Sequence, residues 1–195
     1  MSQPSDRNPL TEEEIRAVTI GELAPLTSPI LLVDYDPGWP HLFKREARRL
    51  RATLGDQALQ VEHTGSTSVP GLAAKPIIDI LLVVPDSGDE RAYVPRLEEA
   101  GYVLRIREPD WYEHRLLKGP DTAVNVHVLS EHCPEIQRML DFRDWLRTND
   151  ADRELYERTK RQLAENEWMY VQNYADAKTA VVEEILARAQ LSGAS

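Results

Sequence analysis

The stretch Val61 to Val84, VEHTGSTSVPGLAAKPIIDILLVV, limits what this chain can fold into more than any other segment. It reads as a strand, a Gly-Ser turn at Gly65 and Ser66, a loop, and a second strand from Pro76 to Val84. The second strand is dense in Ile, Leu and Val, as expected for a strand buried in the middle of a sheet. One acid, Asp79, interrupts that apolar run. Alternate residues of a strand share a face, so Asp79 and Leu81 are expected to point the same way.

The surrounding pattern supplies the rest of a mixed sheet. Thr11 and Glu14 stand at capping-box spacing and predict a short helix stopped by Gly21. PILLVDYDPGWP predicts a buried strand running into a Pro-Gly turn, and Leu42, Phe43, Ala47, Leu50 and Leu54 predict an amphipathic helix over Trp39 to Leu54, ended by Gly55. A first core strand is expected over Leu59 to His63. A helix over Tyr93 to Ala100 and a strand over Tyr102 to Ile106 complete a strand, crossover helix, strand unit. WYEHRLLKG and TAVNVHVLS, joined through Gly119-Pro120-Asp121, read as a hairpin. Beyond Cys133 three helical segments are expected, near Pro134 to Arg147, Asp150 to Ala164 and Asn173 to Ala189. The fold class expected is α+β: a tail and short helix over residues 1–25, an α/β core of about five strands over 26–132, and a helical C-terminal part over 133–195 packed on the core.

Composition restricts partners. In 195 residues there are 23 Lys and Arg against 33 Asp and Glu, a formal charge of -10, so the overall field repels polyanions and non-specific nucleic-acid binding is not expected. A small phosphorylated ligand is compatible with that field, because a local basic pocket can oppose it. Cys133 is the single cysteine, which excludes an intramolecular disulfide and points to a reducing cytoplasm. Its neighbour His132 does not make it a nucleophile, and Pro134 reads as the first position of a helix. No apolar run approaches the roughly 20 residues that span a bilayer, and MSQPSDRNPL has neither the charged nor the apolar region of a signal peptide, so a mobile, soluble tail is expected there.

Backbone N–H groups at a Gly-Ser turn leading into a helical turn can hold a phosphate, with Gly65 allowing close approach and the Ser66 hydroxyl adding a donor. Asp79 on the next strand stands where a carboxylate can hold a metal bridging the same phosphates. In these features the chain resembles the nucleotidyltransferase superfamily, whose pattern is a Gly-Ser after a strand, then an acid, an apolar residue and a second acid on the next strand. More narrowly it is similar to the GrpB family, through DYDPGWP, EHTGSTSVPGLAAKPIIDILLVV, VNVHV, FRDWLR and the late Tyr and Lys pairs, over roughly Leu31 to Ala189. The resemblance implies a nucleotidyltransferase-like fold, a nucleotide or coenzyme A as partner, and Gly65, Ser66, Thr67 and Ser68 as the phosphate-side loop. It implies no defined activity for the family, some members of which are fused to dephospho-coenzyme A kinase.

The chain departs from the superfamily pattern where the second acid belongs, because position 81 is Leu. The best counterpart of a third acid is VNVHV, where Asn125 and His127 share a face. Asp79 and His127 are therefore the catalytic candidates. With Glu62 they are also the candidate ligands for one divalent metal (magnesium, manganese or zinc), since one Asp supplies little of the bridging charge that a two-metal site needs. Strand alternation lets only one of Glu62 and His63 face such a site squarely. Lys75, held extended by Pro76, sits at the mouth of the strand that carries Asp79 and is a candidate phosphate contact. Arg143 and Arg147, Tyr156 and Lys160, and Tyr174 and Lys178 are each four apart on a helix, beside its apolar stripe, so Arg143, Arg147, Lys160 and Lys178 are expected on the substrate side. Trp111, Tyr112, His114 and Arg115 offer stacking for a base, or else cover a loop from an edge strand.

Overall fold

A computed structural model describes residues 9–193 of the chain. Five strands form one mixed sheet in the order β1-β2-β5-β4-β3: β1 is Gln60–Thr64, β2 Ile78–Val84, β3 Val103–Glu108, β4 His114–Lys118 and β5 Val124–Ser130. β2 and β5 run parallel, with Asp79 beside Asn125 and Leu81 beside His127. The other three pairings are antiparallel. The expected hairpin is β4 and β5. The expected crossover unit is wider than its sequence implies: β3 lies at the far edge, with β5 and β4 between it and β2.

The two faces of the sheet differ in chemistry. Ile78, Ile80, Leu82 and Val84 of β2, with Val61, Val126, Val128 and Leu117, meet helices α2 (Trp39–Leu54) and α3 (Val94–Glu99) in the main core. The period-2 alternation of each strand sends Asp79, Thr64, Asn125, His127, Lys118 and His114 to the other face. That face carries the candidate site. Its floor is sealed on one side by a smaller cluster in which Leu81, Val83 and Leu129 pack under Ile136, Met139 and Leu140 of helix α4 (Pro134–Thr148).

Helix α5 (Asp150–Ala164) follows α4 after Asn149, whose side chain accepts from the Asp152 amide as an N-cap. The expected helix over Asn173 to Ala189 is two helices, α6 (Val171–Asp176) and α7 (Thr179–Gly193). At the break the Lys178 amide donates to Ala175 O at 3.2 Å, an i→i−3 bond that turns the chain without any Gly or Pro to announce it. Leu146, Tyr156, Val181 and Ile185 of these helices pack on Val69 and Leu72, just after the Gly-Ser turn. The C-terminal helices are thereby fixed against the loop that opens the site.

Helix α1 (Glu12–Val18) carries the expected capping box, with Thr11 and Glu14 bonded both ways, and ends at Val18 rather than at Gly21. The PILLVDYDPGWP segment is not a strand. It makes a single bridge, Val33 to Ala74, and Leu31 is exposed, because the segment lies along the loop before β2 rather than at a sheet edge. Position 1–8 of the expected N-terminal tail lies outside the described residues.

Candidate functional site

The site begins at the turn between β1 and β2. Gly65 has φ 65°, a left-handed conformation that leads into the 3-10 turn Ser66–Ser68. A Cβ built on Gly65 would lie 2.5 Å from Asp79 Oδ2, so the absence of a side chain is what lets the carboxylate lie against the turn. Asn125 Nδ2 donates to Asp79 Oδ1 at 2.8 Å, and His127 Nε2 stands 3.6 Å from the same oxygen. Burial opposes ionisation of Asp79, but His127, Asn125 and Lys75 outweigh it and hold the carboxyl below the usual range.

Around Asp79 the fold gathers four lysines. Lys75, Lys118, Lys160 and Lys178 line one cavity of about 530 Å³ with Gly65, Ser66, Thr67, Asp79 and His127. Lys160 is 2% exposed; it donates to Ser66 Oγ at 3.1 Å and to the Ala73 carbonyl, and lies 4.9 Å from the centre of the Tyr156 ring. Lys75 and Lys178 lie 5.4 and 4.8 Å from the centre of the Tyr174 ring. Lys118 donates to Asn125 Oδ1. Burial, reinforced by Lys178, pushes Lys160 down to about 7, and burial with Lys178 pushes Lys75 down to about 8. Lys178 and Lys118 are lowered by burial too, with Asp79 opposing the shift in both. Lys160 is buried, Lys75 and Lys178 half-buried and Lys118 exposed, and they share the cavity with Asp79, Glu108 and Glu22 in a chain whose net charge is negative.

A second polar feature runs across the same face. His114 Nδ1 contacts Glu108 Oε2 at 2.6 Å, and His114 Nε2 contacts His127 Nδ1 at 3.1 Å, with the two imidazoles stacked at 5.3 Å. His127 thus joins Asp79 on β2 to Glu108 on β3 through one intervening ring.

Several expected site residues are placed elsewhere. Arg143 is committed to Glu62 (2.9 Å), Asp144 (2.7 Å) and His63 O (3.1 Å), and Arg147 donates twice to Ser68 O. Both guanidinium groups brace the Gly-Ser loop from outside the cavity. The Ser68 hydroxyl turns inward to donate to Gly65 O at 2.6 Å. Glu62 does face the same side as Asp79, but it lies beside Leu81, two positions along the strand, and Arg143 takes it. His63 is on the opposite face, stacked on Phe43 and in contact with Thr67 Oγ1 at 3.0 Å; burial pushes it down to about 4. Trp111, Tyr112 and Arg115 do not form a base clamp: buried Arg115 pairs with Glu90 and Glu113, Tyr112 packs on the Leu81, Val83 and Leu129 cluster, and β4 is an internal strand. Lys118 and Glu108 enter the site unforeseen, and His114, expected as a stacking residue, instead stands between Glu108 and His127, since only the strand register brings them into line.

The donors do not fit the metal centre that the superfamily resemblance implies. Among the described residues no three His, Cys, Asp or Glu side chains converge on one point. Position 81, where a second acid would stand, is a fully buried Leu under α4. One Asp79 oxygen already accepts from Asn125, and the neighbouring lysines raise the cost of a divalent cation.

Comparison with known proteins agrees with this geometry at the level of family. The sequence profile of the family described as GrpB protein matches residues 29–188. The chain is 62% identical over 189 residues to UPF0157 protein BH1888 of Halalkalibacterium halodurans, covering 97% of each chain. The crystal structure of conserved protein GrpB from Enterococcus faecalis superposes with a TM-score of 0.74 at 33% identity, covering 85% of this chain and all of that one. A dephospho-CoA kinase of Mycolicibacterium paratuberculosis is 32% identical over 151 residues, 64% of this chain and 37% of the kinase.

Proposed function

This chain belongs to the GrpB family, and we propose that its cavity binds a nucleotide or another phosphate-bearing small molecule such as coenzyme A, on a nucleotidyltransferase-like sheet. The observation that carries this reading is the lysine quartet. Lys75, Lys118, Lys160 and Lys178 line one cavity around Asp79, and the buried ammonium of Lys160 with the half-buried Lys75 and Lys178 beside it is costly unless an anion completes it. Gly65 opens the backbone of the turn to close approach, and Ser66 is already bonded to Lys160, so serine and ammonium form one edge of an anion cradle. The similarity of part of the chain to a dephospho-CoA kinase supports a nucleotide-like ligand. Because Leu81 stands where a second acid is needed, the lysines take the place of metal ions as the counter-charge.

Transfer of a nucleotidyl group and binding without transfer are the two forms of this reading. The closed Leu81 position favours binding without metal-assisted transfer. We place the protein in the reducing cytoplasm on its lone Cys133, and no helix among the described residues is long and apolar enough to cross a membrane. The test is a thermal-shift panel of ATP, CTP, GTP, UTP and coenzyme A, each with magnesium, manganese, zinc or chelator. At least one ligand is expected to raise the melting temperature in chelator. No shift with any of them would refute the reading.

A further inference from the structure

We propose that Lys75 is a self-acylating residue, its amine taking the acyl group of an acyl phosphate whose phosphate the neighbouring lysines hold. Docking of that donor rests on the phosphate reading above; the reactivity of the amine does not.

The geometry keeps Lys75 apart from the partners that would hold its proton. The chain before it is pinned: the Ala73 amide donates to Glu157 at 3.0 Å, the Ala73 carbonyl accepts from Lys160, and Ala74 and Val33 bond in both directions at 2.9 Å. Its side chain lines the cavity, with the nitrogen 5.4 Å from the centre of the buried Tyr174 ring and Lys178 on the same ring at 4.8 Å. Among the described residues neither of these two lysines makes a hydrogen bond or a contact ion pair. One ring thus serves two cations, and their repulsion favours loss of a proton from one of them.

That one is Lys75. The charged groups facing it are Lys178 at the α6–α7 junction, Lys118 of β4 and Asp79 of β2; burial and the two like charges outweigh Asp79 and push it down to about 8. Lys178 has both Asp79 and Asp176 to favour its charged form. Lys160 is 2% exposed and committed to Ser66 Oγ and the Ala73 carbonyl, and Lys118 is committed to Asn125. Lys75 is therefore the half-buried, unbonded amine of the set, a desolvated lysine beside another cation, which is the arrangement that makes an amine nucleophilic near neutral pH.

The step balances without a redox partner. The Lys75 Nζ lone pair attacks the acyl carbon, a C–N bond forms, and the bond from that carbon to the phosphate oxygen breaks. The phosphate leaves with the electron pair and takes up the proton that the nitrogen sheds, giving an amide and hydrogen phosphate. The amide is neutral, so the cradle loses one positive charge and its hold on anions weakens.

The probes are acetyl phosphate and, as an acyl donor without phosphate, acetic anhydride at limiting concentration, with acetyl-lysine mapped by mass spectrometry. Lys44, exposed on α2 and the one lysine outside the cavity, is the internal standard. Near neutral pH Lys75 is expected to react at least about tenfold faster than Lys44 with both probes. Excess inorganic phosphate is expected to slow the acetyl phosphate reaction at Lys75, and Lys178→Met to slow the acetic anhydride reaction there by removing the like charge. Lys75 no faster than Lys44 with acetic anhydride overturns the proposal and leaves the phosphate reading standing. Lys75 leading with acetic anhydride but not with acetyl phosphate, or without competition by phosphate, overturns it through the phosphate reading instead. An unchanged rate in Lys178→Met overturns the lysine pair as the source of the reactivity; if that variant does not fold, the wild-type rates decide.

Discussion

At the scale of single residues, Gly65 and Lys160 show how the site is built from constraints on one side chain at a time. Gly65 combines a left-handed φ with a contact that a methyl group would turn into a 2.5 Å clash with Asp79. Gly65→Ala should cost about 2 kcal/mol or more, read as a lower denaturant midpoint, and should displace the carboxylate. Lys160 sets a pH dependence with a definite sign. Its folded value of about 7 lies below its ordinary 10.5, so below about 7 both states hold the proton and the burial penalty is fully present. Between about 7 and 10.5 the unfolded chain holds a proton that the folded one has released, so the ligand-free protein should gain stability as pH rises through that window. Lys160→Met should flatten the rise in a urea titration series. Anion binding should weaken over the same range as Lys160 and then Lys75, at about 8, lose their charge. Gly65, Ser66, Asp79, Lys75, Lys160 and Lys178 were all legible in the sequence, because local turn chemistry and helical spacing mark them. Lys118 and Glu108 were not, and His114 was expected only as a stacking residue, because they join the site through pairings across β3, β4, β5 and β2 that no local pattern encodes.

At the scale of elements, the strand pattern was legible where burial enforces it. Helix α2 and helix α5 run over the expected residues, and the capping box at Thr11 marks the start of α1. The apolar run Ile30 to Val33 misled because a short run has no period long enough to separate a strand from an extended loop. The split between α6 and α7 was invisible for a different reason: it is a shift from i→i−4 to i→i−3 bonding at Lys178, held by tertiary contacts. Arg143 and Arg147 had the spacing of ligand contacts, but α4 approaches the loop from behind and turns them into braces on Glu62 and on the His63 and Ser68 carbonyls. The packing of α4 also fixes the fate of Leu81. Leu81→Asp places a carboxylate with no partner under Ile136 and Met139, so it should lower stability by about 3 kcal/mol or more without creating metal affinity. Calorimetry with manganese checks this; tight manganese binding by a folded Leu81→Asp protein would show the position to be a ready metal site.

At the scale of the whole molecule, charge is divided between surface and cavity. The chain carries -10 overall, yet the cavity at the Gly-Ser turn holds four lysines with Arg105 beside them. Long-range repulsion of polyanions and short-range attraction of a small anion therefore coexist, and the ligand must be small enough to leave the outer field behind. The N-terminal segment closes one side: Ile15, Val18 and Leu23 line the cavity, Glu12 accepts from the Tyr170 hydroxyl at 3.1 Å, and the Ile20 amide donates to Arg105 O at 2.8 Å. The N-terminal side of the cavity so formed adds apolar surface from Ile15, Val18 and Leu23 together with Arg105 and Glu22. The measurement that tests the central claim most directly is isothermal calorimetry of the stabilising nucleotide or coenzyme A in chelator, on wild type and Lys178→Met. The lysine-cradle account predicts binding without metal and a loss of at least about tenfold in the variant, the scale of one charge-assisted contact. Binding that appears only with a divalent metal and ignores Lys178→Met would contradict it.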